Sequence, residues 1–178
     1  MRNSSTRTSA GADISVGFAP VVGARPRVLI LGSLPGRVSL ARGEYYAQPR
    51  NAFWKIMGDV FGAGPELAYA ERCAALASRG VALWDVCAAA ARPGSLDADI
   101  EEDSVAVNDF AAFFATRPSL TRILCNGAAA HRLYVKRVVS TLPEPTQKID
   151  IVRLPSTSPA HAAAPFAAKL AAWRAALT

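Results

Sequence analysis

The sequence predicts an α/β fold in which helices cover both faces of a four-stranded parallel sheet. Three observations lead there. Four short runs, Arg27–Leu31, Val81–Val86, Leu120–Cys125 and Ile149–Leu154, are rich in Val, Ile and Leu without polar alternation, as strands buried on both faces are. Segments of helical periodicity separate these runs, the order expected of strand–helix–strand units. A chain of 178 residues is long enough to close one such sheet around its core, and no apolar run is long enough to span a bilayer.

Taken in order, residues 1–17 are rich in Ser, Thr and Arg and lack the apolar core of a signal peptide. They read as a disordered tail ahead of a single domain over residues 18–178. Phe18–Val22 is an apolar stretch suited to an edge strand or a packing arm. After the first buried strand, Gly32–Gly36 forms a tight turn whose glycines allow a ligand to approach the backbone. Its N–H groups suit a phosphate or a base edge. Asn51–Phe61 has helical spacing, with Phe53, Ile56, Met57, Val60 and Phe61 as its stripe, and Gly62 stops it. Glu66–Ser78 is a second helix, with Gly80 as its C-terminal cap. Asp85 ends the next strand, either as a cap or as a site residue.

Residues 92–104 read as a loop. Its acids Asp97, Asp99, Glu101, Glu102 and Asp103 place it on a face turned away from any polyanion. Asn108–Thr116 is a helix whose Phe110, Phe113 and Phe114 are core at helical spacing. Ala128–Val139 is a helix with Arg132, Lys136 and Arg137 on its polar side, where His131 reads as structural. Leu142–Pro145 is a turn. The last strand delivers Pro155–His161, and a final helix over Pro165–Ala176 buries Phe166, Leu170 and Trp173.

The charge is lopsided. Residues 1–55 hold eight Lys/Arg against two Asp/Glu, so the net +6 lies in the segment carrying the Gly-rich turn, with Arg37, Arg42, Arg50 and Lys55 interleaved with it. Such an excess attracts phosphates. Three dispersed cysteines and two histidines give no metal-binding spacing, and free thiols suit a reducing cytoplasm. In doubly wound sheets the ligand crevice lies beyond the C-terminal strand ends. Both the Gly32–Gly36 turn and the Pro155–His161 loop fall there, more than a hundred residues apart in the chain.

Three ordered motifs carry a resemblance: Gly-Ser-x-Pro-Gly from Gly32, Tyr-Tyr-x-x-Pro-Arg-Asn-x-Phe-Trp from Tyr45, and Leu-Pro-Ser-Thr-Ser-Pro-Ala-His from Leu154. Together they resemble the hypoxanthine-DNA glycosylases, a branch of the uracil-DNA glycosylase superfamily. Val81–Val86, Arg92–Asp97 and Asn126–Ala128 also match, so the resemblance spans about residues 18–175. It implies a three-layer α/β/α sandwich on a four-stranded parallel sheet. It further implies a monofunctional enzyme that flips a deaminated base, most readily hypoxanthine, from double-stranded DNA and hydrolyses its glycosidic bond. No cofactor or metal, no membrane, a monomeric state and a cytoplasmic setting on the nucleoid go with it.

The resemblance also assigns roles. Leu34 stands where much of the superfamily carries a water-orienting Asp or Asn, and the hypoxanthine branch shares that apolar substitution. The catalytic role passes to Asn51, whose amide both accepts and donates; Asn there equally suits a helix cap. Gly32, Ser33, Leu34, Pro35 and Gly36 form the base pocket with Gln48 and Tyr46, the latter either stacking on the base or packing in the core. Arg50, Ser156, Thr157 and Ser158 grip phosphates, while Ala160 and His161 enter the vacated stack. Gln48 replaces the usual family His and cannot protonate. Two other readings remain at this point: a uracil- or xanthine-directed glycosylase, and a non-catalytic binder of damaged DNA. A small-molecule α/β domain is a third.

Overall fold

The computed structural model describes residues 14–178. Four parallel strands in the order β3-β2-β6-β7 form the central sheet: β2 (Val28–Gly32), β3 (Val81–Asp85), β6 (Arg122–Asn126) and β7 (Asp150–Leu154). Each lies on a run expected from sequence, within two residues at either end. Successive side chains go to opposite faces. Leu29 and Leu31 join Ala82, Trp84, Ile123 and Cys125 in one core, while Ile30 joins Val81, Leu83 and Leu124 in the other. The sheet therefore has two buried faces, which is why its strands show no alternation.

The first face is covered by α4 (Phe110–Ala115) and α5 (Ala128–Arg137), through Phe110, Phe113, Phe114, Leu133 and Tyr134. The second is covered by α2 (Phe53–Phe61), α3 (Tyr69–Ser78) and α7 (Phe166–Leu177), through Phe53, Trp54, Ile56, Met57, Leu76 and Trp173. This is the three-layer sandwich anticipated above. Gly62 ends α2 in the left-handed region at φ 70°, its N–H bonded to the Gly58 carbonyl and the next N–H, of Ala63, to the Met57 carbonyl. At the start of α3 the Glu71 carboxylate accepts the Ala68 N–H at 2.8 Å.

Several expectations need correction. Ile14–Val16, assigned to the tail, is a strand (β1) paired antiparallel with β4 (Cys87–Ala91), which in turn pairs with β5 (Ala106–Val107). Residues 1–13 lie outside the described part. This second, antiparallel sheet was not expected, because Cys87–Ala91 is mostly Ala and carries no strand propensity. A short helix, α1 (Arg37–Arg42), follows the Gly-rich turn, and α6 (Glu144–Gln147) replaces part of the Leu142–Pro145 turn. Phe166 is 45% exposed rather than buried, at the very start of α7, whereas Trp173 is fully buried.

Phe18–Val22 is a packing arm. Val21 makes a single antiparallel bridge to Leu83, and the Phe18 carbonyl accepts from the Trp84 indole at 3.1 Å. The arm covers the outer edge of β3, which would otherwise offer unpaired backbone groups. Cys87 and Cys125 are buried and Cys73 half-buried, all as free thiols.

Candidate active site

Parallel pairing brings the C-terminal strand ends side by side. Gly32 is in register with Asp85, and Asn126 with Leu154. Two residues beyond Ile30, Leu83 and Leu124, the positions Gly32, Asp85 and Asn126 share the sheet face covered by α2, α3 and α7.

The Gly32–Gly36 turn is locked by its carbonyls. Those of Gly32 and Ser33 accept from Val86 and Cys87 N–H at 2.9 and 3.0 Å. Those of Leu34 and Pro35 accept from the buried Arg92 guanidinium, at 3.2 Å for Leu34. The Gly36 carbonyl takes the Leu40 N–H of α1 at 2.9 Å. Every carbonyl of the turn thus points into protein. The N–H groups of Ser33, Leu34 and Gly36 bond to no other described residue. A run of unspent backbone donors is a ready anion or oxyanion site. Leu34 itself sends its side chain into the core of the opposite face, so it contributes backbone to the pocket rather than a wall.

Tyr46 is the one described non-glycine residue at positive φ, 55°. Its neighbours over-determine that conformation: the Ala47 N–H bonds Ser39 Oγ at 3.1 Å, and the Tyr45 carbonyl accepts from the Trp54 indole at 2.8 Å. One face of the Tyr46 ring stacks on Phe53 at 3.9 Å and 22°. The residue as a whole is half-buried.

Gln48, Pro49, Arg50 and Asn51 form a β-turn closed by the Asn51 N–H on the Gln48 carbonyl at 2.8 Å, with Pro at its second position. The Gln48 side-chain oxygen accepts the Arg50 N–H. Asn51 Oδ1 accepts the Phe53 N–H at 3.0 Å, so Asn51 does brace the start of α2. That contact orients the amide, and a carbonyl oxygen keeps a second lone pair for a water.

The Pro155–His161 loop is bolted to the same place. Asn126 bonds Thr157 twice, its Oδ1 accepting from the Thr157 N–H at 2.9 Å and its Nδ2 donating to Thr157 Oγ1 at 2.8 Å. The Thr157 carbonyl then accepts the Ala52 N–H at 3.0 Å, next to Asn51. Trp173 holds the loop from behind through Pro155 O at 3.0 Å. Within it, Ser156 Oγ accepts from Ser158 N–H and Ser158 Oγ from Ala160 N–H, both at 3.2 Å. Ala160 and His161 stand exposed.

A groove of about 410 Å³ runs beneath this loop, lined by Arg50, Lys55, Thr157, Ser158, Phe166 and Lys169 among others. The structure thus unites Arg50 with Thr157 and Ser158, and adds two lysines.

The comparisons with known proteins follow this geometry. Residues 19–177 match the family model described as the uracil DNA glycosylase superfamily. The chain belongs to that superfamily. It is 38% identical over 112 residues to a protein of Methanosarcina barkeri named hypoxanthine DNA glycosylase, covering 62% of this chain and 70% of that one. The same name belongs to a Methanosarcina acetivorans protein, 36% identical over 118 residues, covering 66% and 73%. A solution NMR structure from Methanosarcina acetivorans, described as a candidate uracil DNA glycosylase, superposes with a TM-score of 0.73 at 30% identity, over 92% of this chain and 98% of that one.

Within this superfamily member, the structure brings four more residues to the turn or the loop: Asp97, Arg92 and Lys169, which sequence reasoning did not place in the site, and Asp85, which it left open between cap and site residue. Asp97 was expected on a face turned away; instead its carboxylate accepts the Ser33 hydroxyl. Of the acidic run, Glu102 pairs with Arg132 and Lys136, and Asp99 accepts the Leu96 N–H at 3.3 Å. Arg92 clamps the turn, and burial lowers its basicity. Lys169 is buried, its Nζ donating to His161 O at 2.8 Å and Ser158 O at 3.4 Å. Asp85 is buried at the strand end, and burial, with the Asp97 charge adding and Arg92 opposing, pushes its pKa up to about 7. His131 lines a second cavity with Asp97, Ala128, Arg132 and Arg153.

Proposed function

We propose that the protein is a monofunctional DNA glycosylase that hydrolyses the glycosidic bond of hypoxanthine flipped out of duplex DNA, leaving an abasic site. The observation that carries this reading is the junction of Asn51, through Ala52 and Thr157, with Asn126, whose strand ends beside the turn with unspent amides. The names of the two Methanosarcina relatives support hypoxanthine as the base.

Extruding a base costs a few kcal/mol, least where it is mispaired, as a deaminated adenine is. Stacking on the face of Tyr46 opposite Phe53 returns about 1–3 kcal/mol and tolerates different bases. As the C1′–N bond breaks, its electron pair goes to the base and the sugar becomes oxocarbenium-like. Unspent amides of Ser33, Leu34 and Gly36 meet the charge gathering on the base; one aimed donor is worth about 3 kcal/mol. Asn51 accepts a hydrogen bond from the incoming water and orients it. The water's oxygen joins C1′, and its released proton balances the one taken up by the departing base. A weak acceptor suffices, since bond breaking leads. Arg50, Lys55 and the hydroxyl-rich loop hold phosphates, which set position and not sequence.

Lys169, which shares the groove with Arg50, is occupied with two carbonyls. No Schiff base forms, and strand scission awaits alkali or another enzyme. The enzyme acts as a monomer on the cytoplasmic chromosome.

Purified protein incubated with duplexes carrying inosine, uracil or xanthine, followed by alkali, tests the reading. Alkali-labile sites should arise fastest at inosine. Cleavage at uracil without cleavage at inosine would overturn it, and binding to all three without cleavage would make the protein a damage binder.

A further inference from the structure

Among the buried polar atoms near the turn, Arg92 Nε, the Tyr46 hydroxyl and Asp85 Oδ2 lack a hydrogen-bond partner, and the last two share one space. A Cβ built on Gly32 would collide with Asp85 Oδ1 and come within 3.2 Å of the Tyr46 hydroxyl. The missing side chain of Gly32 therefore leaves a notch on the sheet face. A carboxyl from the adjoining strand and a phenol from the motif loop both enter it.

No described donor bonds the carboxyl: Arg92 gives its two terminal nitrogens to the carbonyls of Leu34 and Pro35 and leaves its Nε unpaired, and Asp97 is engaged with Ser33. An ionised carboxylate buried without donors is costly, so such a group stays neutral or finds a partner. The Tyr46 hydroxyl, which also lies by the Asn126 amide, shares the notch with it. Tyr46 holds an uncommon backbone conformation, and its hydroxyl is the end of the ring farthest from that backbone.

We propose that Asp85 is a positioning residue: its un-ionised carboxyl, seated in the Gly32 notch against the Tyr46 hydroxyl, fixes the ring on which the flipped base stacks. The proposal rests on the glycosylase reading above. Titration of Asp85 near neutrality, under the influence of Asp97 and Arg92, makes the seat sensitive to pH. The other titratable groups that feel its charge, Tyr45, Tyr46 and Cys87, are all pushed upward and stay neutral through this range. Ionisation brings a second negative charge beside Asp97, draws water into the notch and unseats the ring.

The test is the pH profile of inosine excision between about pH 5 and 9, with kcat and KM separated. Wild-type kcat/KM should fall up to about tenfold per unit above pH 7, as for one essential protonated group. Asp85→Asn, neutral and of the same shape, should show no alkaline fall across that range. Tyr46→Phe, which keeps the ring and removes the hydroxyl, should also lose the alkaline fall. A merely structural Asp85 would give variants that are weaker by the same factor at every pH.

A second arm does not need turnover. In an Asn51→Ala background, affinity for an inosine-containing duplex should weaken above pH 7 with Asp85 present and hold steady with Asp85→Asn. If wild type releases no base at all, the glycosylase reading fails while this binding titration still judges Asp85. Identical pH dependence with and without the carboxyl, in either arm, overturns the proposal.

Discussion

Around the Gly32–Gly36 turn the side chains that matter, Asp85, Arg92 and Ser33, are buried, whereas the groove below the Pro155–His161 loop is lined by the exposed Arg50 and Lys55. The turn is shaped by neighbours brought from far along the chain: Arg92 and Asp97 from one loop, Val86 and Cys87 from one strand end. Its contacts are dry and directional, so it tolerates little change. The groove works through charges in water, each of modest and nearly additive weight. Chemistry and base selection belong to the first region, grip on DNA to the second. A substitution should therefore reveal its region by the kind of effect it has.

Gly32→Ala tests the rigidity of the pocket and should have the largest effect. The added methyl meets Asp85 and Tyr46, and overpacking of this kind costs about 1–3 kcal/mol. Thermal denaturation should show the loss, and inosine excision should fall more steeply than stability alone explains.

Asp85→Asn sharpens the contrast by way of pH. The pKa of Asp85 in the folded protein is raised from its ordinary 3.8 to about 7, so folding favours the protonated form. Its contribution is full below about pH 4 and is lost as pH rises toward 7. The stability of Asp85→Asn relative to wild type should accordingly climb between those limits and level off above them, as read from denaturant melts at several pH values.

Lys55→Ala should have the smallest effect. It should leave stability unchanged, weaken binding to every duplex alike, and lower the slope of log affinity against log salt by about 1. A preference for one base that changed with Lys55 would break the division between pocket and groove.

The central sheet was legible because doubly buried strands announce themselves as Val, Ile and Leu without alternation. The antiparallel sheet was not, since the Ala-rich Cys87–Ala91 becomes a strand only through long-range pairing with Ile14–Val16. In the site, the motif residues could be named, but what holds them could not. Asp97 sat in an acidic run that reads as a solvated face, and only folding turns it toward Ser33. Lys169 sits in an Ala-rich helix, where a lysine ordinarily faces water. Phe166 fitted the helical stripe but lies at the helix start, over the groove. Asp85 looked like a strand-ending cap because its partner in the notch, Tyr46, reaches it from a different motif. The positive φ of Tyr46 has no local signature at all.

The most direct measurement is single-turnover excision of hypoxanthine from an inosine duplex by wild type and Asn51→Ala, with duplex affinity measured beside it. Asn51 orients the water, so the variant should be slower by about a hundredfold or more while binding DNA nearly as well. An Asn51→Ala enzyme that releases hypoxanthine at the wild-type rate would contradict the account.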